Sequence, residues 1–213
     1  MAEPAPFTRP ARDGLDRVRR LHSLSGGLPL VGFALFHAWQ QSAVRAGRDA
    51  MLARLDATGH GVVELLLVVL PLLLHAGCAL WLLARGGLRP AAQAGYASPA
   101  FRRFQAITGL LTGAFLCVHV LGVWHPFLPA GRAFAVFGAM LDQTGTPLGA
   151  AGYVVGISAT CVHLGQGLSV FLLRLWPGCS PRLSRTVGGL VGGALWLAFL
   201  DELAVYATGA ALM

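Results

Sequence analysis

Long apolar runs alternate with polar segments along this chain, and the alternation predicts its architecture. A helix needs about 20 residues to cross the hydrocarbon core of a bilayer, which is about 30 Å thick. The chain offers five apolar runs of about this length. We therefore predict an all-α membrane protein in which residues 1–213 form one domain. Its five spans are expected at residues 24–44, 62–84, 104–124, 149–174 and 187–210.

Composition supports this interpretation over a soluble domain. Hydrophobic residues occupy 55% of the 213 positions and charged residues only 12%, a balance that is unusual for a soluble protein. All 16 basic residues are arginines, and they lie between the apolar runs instead of on one polar face, which argues against nucleic-acid binding. The four cysteines form no CxxC or CxxCH motif, so we expect no disulfide, zinc site or covalently attached haem.

The distribution of the arginines predicts the orientation of the spans. Twelve arginines lie before the first span and in the loops after the second and fourth, whereas four lie in the loops after the first and third. Arginine-rich loops stay in the cytoplasm. The N-terminal segment 1–20 is therefore expected to be cytoplasmic, and five crossings place the C-terminus outside. This pattern predicts a multi-pass protein of the bacterial inner (cytoplasmic) membrane.

Four of the seven histidines fall inside predicted spans, one in each of the first four. They are His37, His75, His119 and His163. An ionisable group inside a membrane is costly and needs a partner. A single membrane histidine is explained equally well by a hydrogen bond to a neighbouring helix. These four, however, recur at separations of 38, 44 and 44 residues, close to one helix plus one loop each time.

Depth sorts the four histidines into two pairs. Because a helix rises about 1.5 Å per residue, His37 and His119 are expected roughly 20 and 22 Å from the cytoplasmic edge. His75 and His163 are expected roughly 14 and 16 Å from that edge. Two facing imidazoles in a helical bundle suit a haem with two axial ligands, whereas zinc requires more ligands and a proton relay requires no matched depths. The sequence predicts a five-helix bundle that encloses two haems.

Small residues recur at helix-packing spacing in the last three spans. Close approach of helix backbones explains such positions in a membrane, and we assign them no chemistry. They are Gly109 and Gly113, Gly152 and Gly156, and the stretch from Gly188 to Ala194.

The segments around the four histidines resemble those of a known family. They read RLHSLSGGLPLVGFALFH in span one, PLLLHAGCAL in span two, FQAITGLLTGAFLCVH in span three and HLGQGLSVF in span four. Together they resemble the di-haem, five-helix cytochrome b subunit that anchors succinate:quinone oxidoreductases, including menaquinone-linked succinate dehydrogenases and fumarate reductases, to the membrane. The family commonly has an arginine after the glutamine of the third motif, where this chain has Ala106.

The resemblance implies ligands, partners and a function. His37 and His119 would bind the distal haem b, and His75 and His163 the proximal haem b. A flavoprotein subunit carrying FAD and an iron–sulfur subunit would dock on the cytoplasmic side. This chain has no GxGxxG motif and no cysteine cluster, so dicarboxylate chemistry is expected in those partners. The chain would pass electrons from them to a membrane quinone, expected to be menaquinone; the oligomeric state stays open.

Polar residues near the cytoplasmic surface extend the candidate site. Arg20, His22, Ser23 and Ser25 form a cluster at the head of the first span. Ser23 lies below the inner haem layer, and Arg174 reaches toward the same surface. Both would bind propionates of the proximal haem, since arginine matches carboxylate geometry. A helix cap and a topology-setting arginine are the alternatives.

Other polar residues are candidates for quinone binding or proton relay. His60, Glu64, Trp124 and His125 lie at the outer ends of spans two and three. Glu64 would otherwise stabilise the N-terminus of its helix. Asp201 and Glu202 lie deeper in span five than solvated acids should, and either end that span early or line a proton path.

Three alternatives remain at this stage. A quinol:fumarate reductase anchor would use the same electron path in the opposite direction. The di-haem cytochrome b of a membrane hydrogenase or formate dehydrogenase also uses membrane histidines, but its spacing does not match. An anchor without haem would be colourless when purified.

Overall fold

The computed structural model describes residues 10–58, 65–85, 98–123, 132–176 and 178–209. Every element within these ranges is helical, which confirms the predicted all-α fold. The helices are α1 (Pro10–Gly26), α2 (Leu28–Gln41), α3 (Arg48–Thr58), α4 (Leu70–Ala84), α5 (Pro99–Val123), α6 (Arg132–Thr144), α7 (Pro147–Leu175) and α8 (Pro181–Ala207). A short 3-10 helix, Ser42–Ala46, follows α2, and a π-helical turn, Leu65–Val69, precedes α4.

Five of these helical segments are long and apolar enough to cross a membrane. They cover Gly14–Ala46, Leu65–Ala84, Ala100–Val123, Pro147–Leu175 and Pro181–Ala207. The first starts earlier than the predicted span at residue 24, because the polar α1 continues almost directly into α2. The remaining helices, α3 and α6, lie in the first and third loops. The chain is a multi-pass membrane protein, and its outer surface fits that assignment: Leu110 is 75% exposed and Leu190 69% exposed.

Proline and hydroxyl side chains begin the helices of the second half. Thr146 caps α7 by accepting a hydrogen bond from the Gly149 amide at 3.1 Å, and Ser180 caps α8 by accepting one from the Leu183 amide at 3.1 Å. In both helices a proline occupies the first turn, where its missing N–H costs nothing. These signals explain where both helices start.

Glycines allow α7 and α8 to share the most extensive helix contact in the described part of the chain. A side-chain carbon on Gly165 would lie 2.6 Å from the Gly188 carbonyl oxygen, and one on Gly192 would lie 2.8 Å from the Cys161 carbonyl oxygen. Any larger residue would push the two backbones apart. The predicted small-residue stretch from Gly188 therefore does serve packing.

The two ends of the bundle differ in composition. One end carries Arg19, Arg174 and Arg182, and we call it the arginine-rich end. At the other end, the cap end, α3 and α6 pack over the end of α8 around buried Val44, Met51, Phe137 and Tyr206. The cap end thus has an apolar core of its own.

Candidate functional site

The four span histidines lie together in two pairs. His37 on α2 faces His119 on α5 with ring centroids 6.1 Å apart and ring planes at 70°. His75 on α4 faces His163 on α7 with ring centroids 6.1 Å apart and ring planes at 76°. We call these the 37/119 pair and the 75/163 pair. The structure brings together the same partners that the depth argument paired.

The spacing within each pair fits a shared iron. With metal–nitrogen bonds of about 2 Å, two imidazoles on opposite faces of one iron have ring centroids about 6 Å apart. Over the described ranges, α2 is not in extensive contact with α5, nor α4 with α7, so each pair joins two helices that share little direct contact. In those same ranges no group of three or more His, Cys, Asp or Glu could hold a metal ion. The spacing of each pair fits an iron whose other ligands come from a porphyrin.

Backbone carbonyls orient both rings of the 75/163 pair. The Nδ1 atom of His75 lies 2.8 Å from the carbonyl oxygen of His22, and that of His163 lies 3.2 Å from the carbonyl oxygen of Gln105. A carbonyl oxygen only accepts hydrogen bonds, so each Nδ1 carries the proton and donates. Each Nε2 then keeps a free lone pair, which is the form of histidine that binds a metal.

Glycines make room for the same two rings. A side-chain carbon on Gly26 would lie 2.4 Å from the His75 ring, and one on Gly109 would lie 2.8 Å from the His163 ring. The role of Gly109 therefore differs from the helix packing predicted for it. His22 adds a further contact, since its ring stacks on His75 with centroids 4.0 Å apart. The sequence placed His22 in the polar cluster near the cytoplasmic surface and did not predict this ring contact.

The 37/119 pair is oriented by side chains. The Nδ1 atom of His119 lies 3.0 Å from the Tyr153 hydroxyl, which donates to the Gln143 amide oxygen at 2.7 Å. Because the hydroxyl proton is used toward Gln143, the hydroxyl oxygen accepts from Nδ1–H of His119. Phenylalanines surround the pair: Phe33 stacks on His37 and Phe115 on His119. Sequence reasoning missed Tyr153 and Gln143.

The two residues predicted to bind haem propionates lie together at the arginine-rich end. The guanidinium of Arg174 donates to the hydroxyl of Ser23 and to the carbonyl oxygen of Arg19 at 2.8 Å. An arginine has five N–H donors, so the pair retains donors for an anion. The other candidates, His60, Glu64, Trp124 and His125, lie outside the described residues.

The two acidic residues of span five have different environments. Asp201 forms an ion pair with Arg45 at 2.6 Å, and both side chains are about half exposed. Glu202 is 3% exposed, and neither of its carboxyl oxygens has a hydrogen-bond partner among the described residues. Its helix also contacts the 37/119 pair, because the Phe199 ring lies 5.9 Å from His37.

Comparison with known proteins finds a curated relative of this chain. The chain is 27% identical to the succinate dehydrogenase cytochrome b558 subunit of Bacillus subtilis (strain 168), in an alignment of 176 residues that covers 78% of this chain and 83% of the relative. The predicted family resemblance is confirmed. The relative's name describes a cytochrome subunit of succinate dehydrogenase, the class that the histidine motifs indicated. No family model and no solved structure matches the chain.

Proposed function

We propose that this chain is the cytochrome b membrane anchor of a succinate:quinone oxidoreductase, and that it passes electrons from an iron–sulfur subunit to a membrane quinone. The observation that carries the proposal is the pair geometry: two imidazole pairs, each 6.1 Å between centroids. The relative's name and the five apolar helices support it.

In this proposal each pair holds one haem b. His37 and His119 hold the distal haem, and His75 and His163 the proximal haem. With two histidines holding each iron, the haem would supply single-electron transfer and would have no position for oxygen. The protein fixes the tautomer of three of these histidines through Nδ1.

Ser23 and Arg174 are proposed to bind the propionates of the proximal haem. Their hydrogen bond joins α1 to α7 beside the 75/163 pair. A guanidinium that keeps free N–H groups matches a carboxylate well. The same contact holds the first span against the fourth.

The arginine-rich end is proposed to face the cytoplasm, where the flavoprotein subunit with its FAD and the iron–sulfur subunit with its clusters would dock. The cap end then faces the outside of the bacterial inner membrane. The 75/163 pair lies nearer the partners, and the 37/119 pair lies farther along the path. Menaquinone is the proposed quinone.

Haem content tests this proposal. The complex purified with its partners should show low-spin b-type absorbance for two haems per chain, together with bound flavin. The substitution His75→Ala should remove one haem and leave the spectrum of the other, whereas His125→Ala, which removes a histidine outside both pairs, should leave both haems. A colourless wild-type preparation, or full haem retention in His75→Ala, contradicts the proposal.

A further inference from the structure

A lipid-facing groove lies at the cap end, beside the 37/119 pair. It lies between α5 and the first half of α7 and has a volume of about 550 Å³. Its walls include Leu111, Val118 and Val155. Val118 is 66% exposed and Val155 is 56% exposed, so the groove opens sideways toward the hydrocarbon of the bilayer.

Polar groups are confined to one end of this groove, where Gln143, Thr146 and Tyr153 line it. Tyr153 is six residues from the start of α7 at Pro147, which places it about 9 Å along the helix. The groove is thus apolar along its length and polar near the membrane surface. That division matches a molecule with a long hydrocarbon tail and a small polar ring.

The polar end presents hydrogen-bond donors. The Gln143 amide oxygen accepts from Tyr153, and within the described ranges its amide nitrogen has no acceptor. Thr146 accepts from the Gly149 amide through its hydroxyl oxygen, and its hydroxyl proton has no acceptor among the described residues. A ligand with oxygen acceptors, such as the two carbonyl groups of a quinone, complements these donors.

The same donors connect directly to the 37/119 pair. A chain of hydrogen bonds runs from Nδ1 of His119 to the Tyr153 hydroxyl and on to the Gln143 amide oxygen. The Tyr153 ring also lies edge-on to the His119 ring, with centroids 5.7 Å apart. An acyl chain of a phospholipid would require neither the donors nor this connection.

We propose that this groove binds the ring of a membrane quinone, with a carbonyl oxygen accepting from the Gln143 amide and the tail lying between α5 and α7. The assignment rests on the proposed function. Gly122 leaves room for this amide, since a side-chain carbon there would lie 2.1 Å from the Gln143 amide nitrogen. Glycine at this position lets the amide reach its place.

A photoreactive quinone tests the assignment directly. The purified complex in lipid nanodiscs is illuminated with an azido-substituted naphthoquinone, and labelled peptides are located by mass spectrometry. We expect labels within residues 111–122 and 143–156, suppressed by excess unlabelled menadione. Labels elsewhere, or labels that excess phospholipid suppresses and menadione does not, would overturn the proposal.

Matched glycine substitutions give the control. A side-chain carbon on Gly152 or on Gly193 meets nothing within 4 Å, but only Gly152 lines the groove. Gly152→Leu should lower labelling about tenfold or more, Gln143→Met about tenfold through loss of the donor, and Gly193→Leu not at all. If Gly152→Leu loses its haems, Val155→Trp fills the same groove from its exposed wall.

The haem spectrum separates the two proposals. Two b haems with labelling unchanged in the groove-filling variant would overturn the quinone groove alone. A wild-type complex without haem would overturn the proposed function, and the groove assignment with it.

Discussion

The two histidine pairs share one spacing and differ in what orients their rings. Main-chain carbonyls of His22 and Gln105 hold the 75/163 pair, whereas the hydroxyl of Tyr153 holds His119. No substitution removes a main-chain carbonyl, so side-chain changes at positions 22 and 105 leave both hydrogen-bond acceptors in place. The second depends on one hydroxyl group. A substitution can therefore change the hydrogen bond that orients His119, whereas it cannot remove the carbonyl groups that orient His75 and His163.

The two histidine pairs also differ in the residues that surround their rings. The 75/163 rings lie on glycine backbones at Gly26 and Gly109, with no room for a side chain. The 37/119 rings lie among Phe33, Phe115 and Phe199. Phenylalanine rings can shift, whereas backbone cannot, so we expect the 75/163 pair to be the more rigid of the two.

The largest effect is expected from a substitution that crowds a ring of the 75/163 pair. The substitution Gly26→Val places carbon atoms within the space of the His75 ring, and overpacking of this kind costs about 1–3 kcal/mol or more. We expect loss of one of the two haems and a lower thermal unfolding temperature. The haem-to-protein ratio measures the first and a thermal melt the second.

Gly32→Val is the matched control for that variant. Gly32 is exposed in the same span, and a side-chain carbon there meets nothing within 4 Å. It should keep both haems. Equal haem loss in the two variants would show that the position in the span, and not the contact with His75, determines the outcome.

A second effect concerns the buried carboxyl group near the 37/119 pair. Both oxygens of Glu202 lack a described hydrogen-bond partner, and a buried polar group without one costs about 1–3 kcal/mol. Glu202→Leu is therefore expected to stabilise the chain by about that amount in chemical or thermal unfolding.

Asp201→Asn serves as the comparison for Glu202→Leu. It removes the exposed ion pair with Arg45 and should change stability by less than about 1 kcal/mol. Destabilisation by Glu202→Leu would instead mean that the carboxyl group has a stabilising partner in the assembled complex.

The smallest expected effect is a change in the reduction potential of the distal haem alone. Tyr153→Phe removes the acceptor for Nδ1–H of His119, and an acceptor at that position raises the basicity of a metal-bound histidine. Its loss should raise the reduction potential of the distal haem by on the order of tens of millivolts. Redox titration should show the proximal haem unchanged. A shift in the proximal haem alone would reverse the assignment of the two pairs.

The sequence predicted the helices and the pairing of the four histidines because both depend on position along a helix axis. Apolar length predicts a span, and residue count predicts depth. The contacts it missed depend on rotation about that axis: His22 stacks on His75 across 53 positions of sequence, and His119 reaches Tyr153 across 34. Depth alone does not determine which neighbour a ring faces. The helical segment of the first span also begins before the predicted span, because the polar α1, which carries no apolar signal, continues almost directly into α2.

The two pairs are interlaced along the chain. The first joins spans one and three, and the second joins spans two and four. A nascent chain with only its first two spans in the membrane therefore has one histidine of each pair and has completed neither pair. The 37/119 pair has both of its histidines once the third span is synthesised, and the 75/163 pair only once the fourth is. The pair nearest the arginine-rich end is therefore the last to be complete.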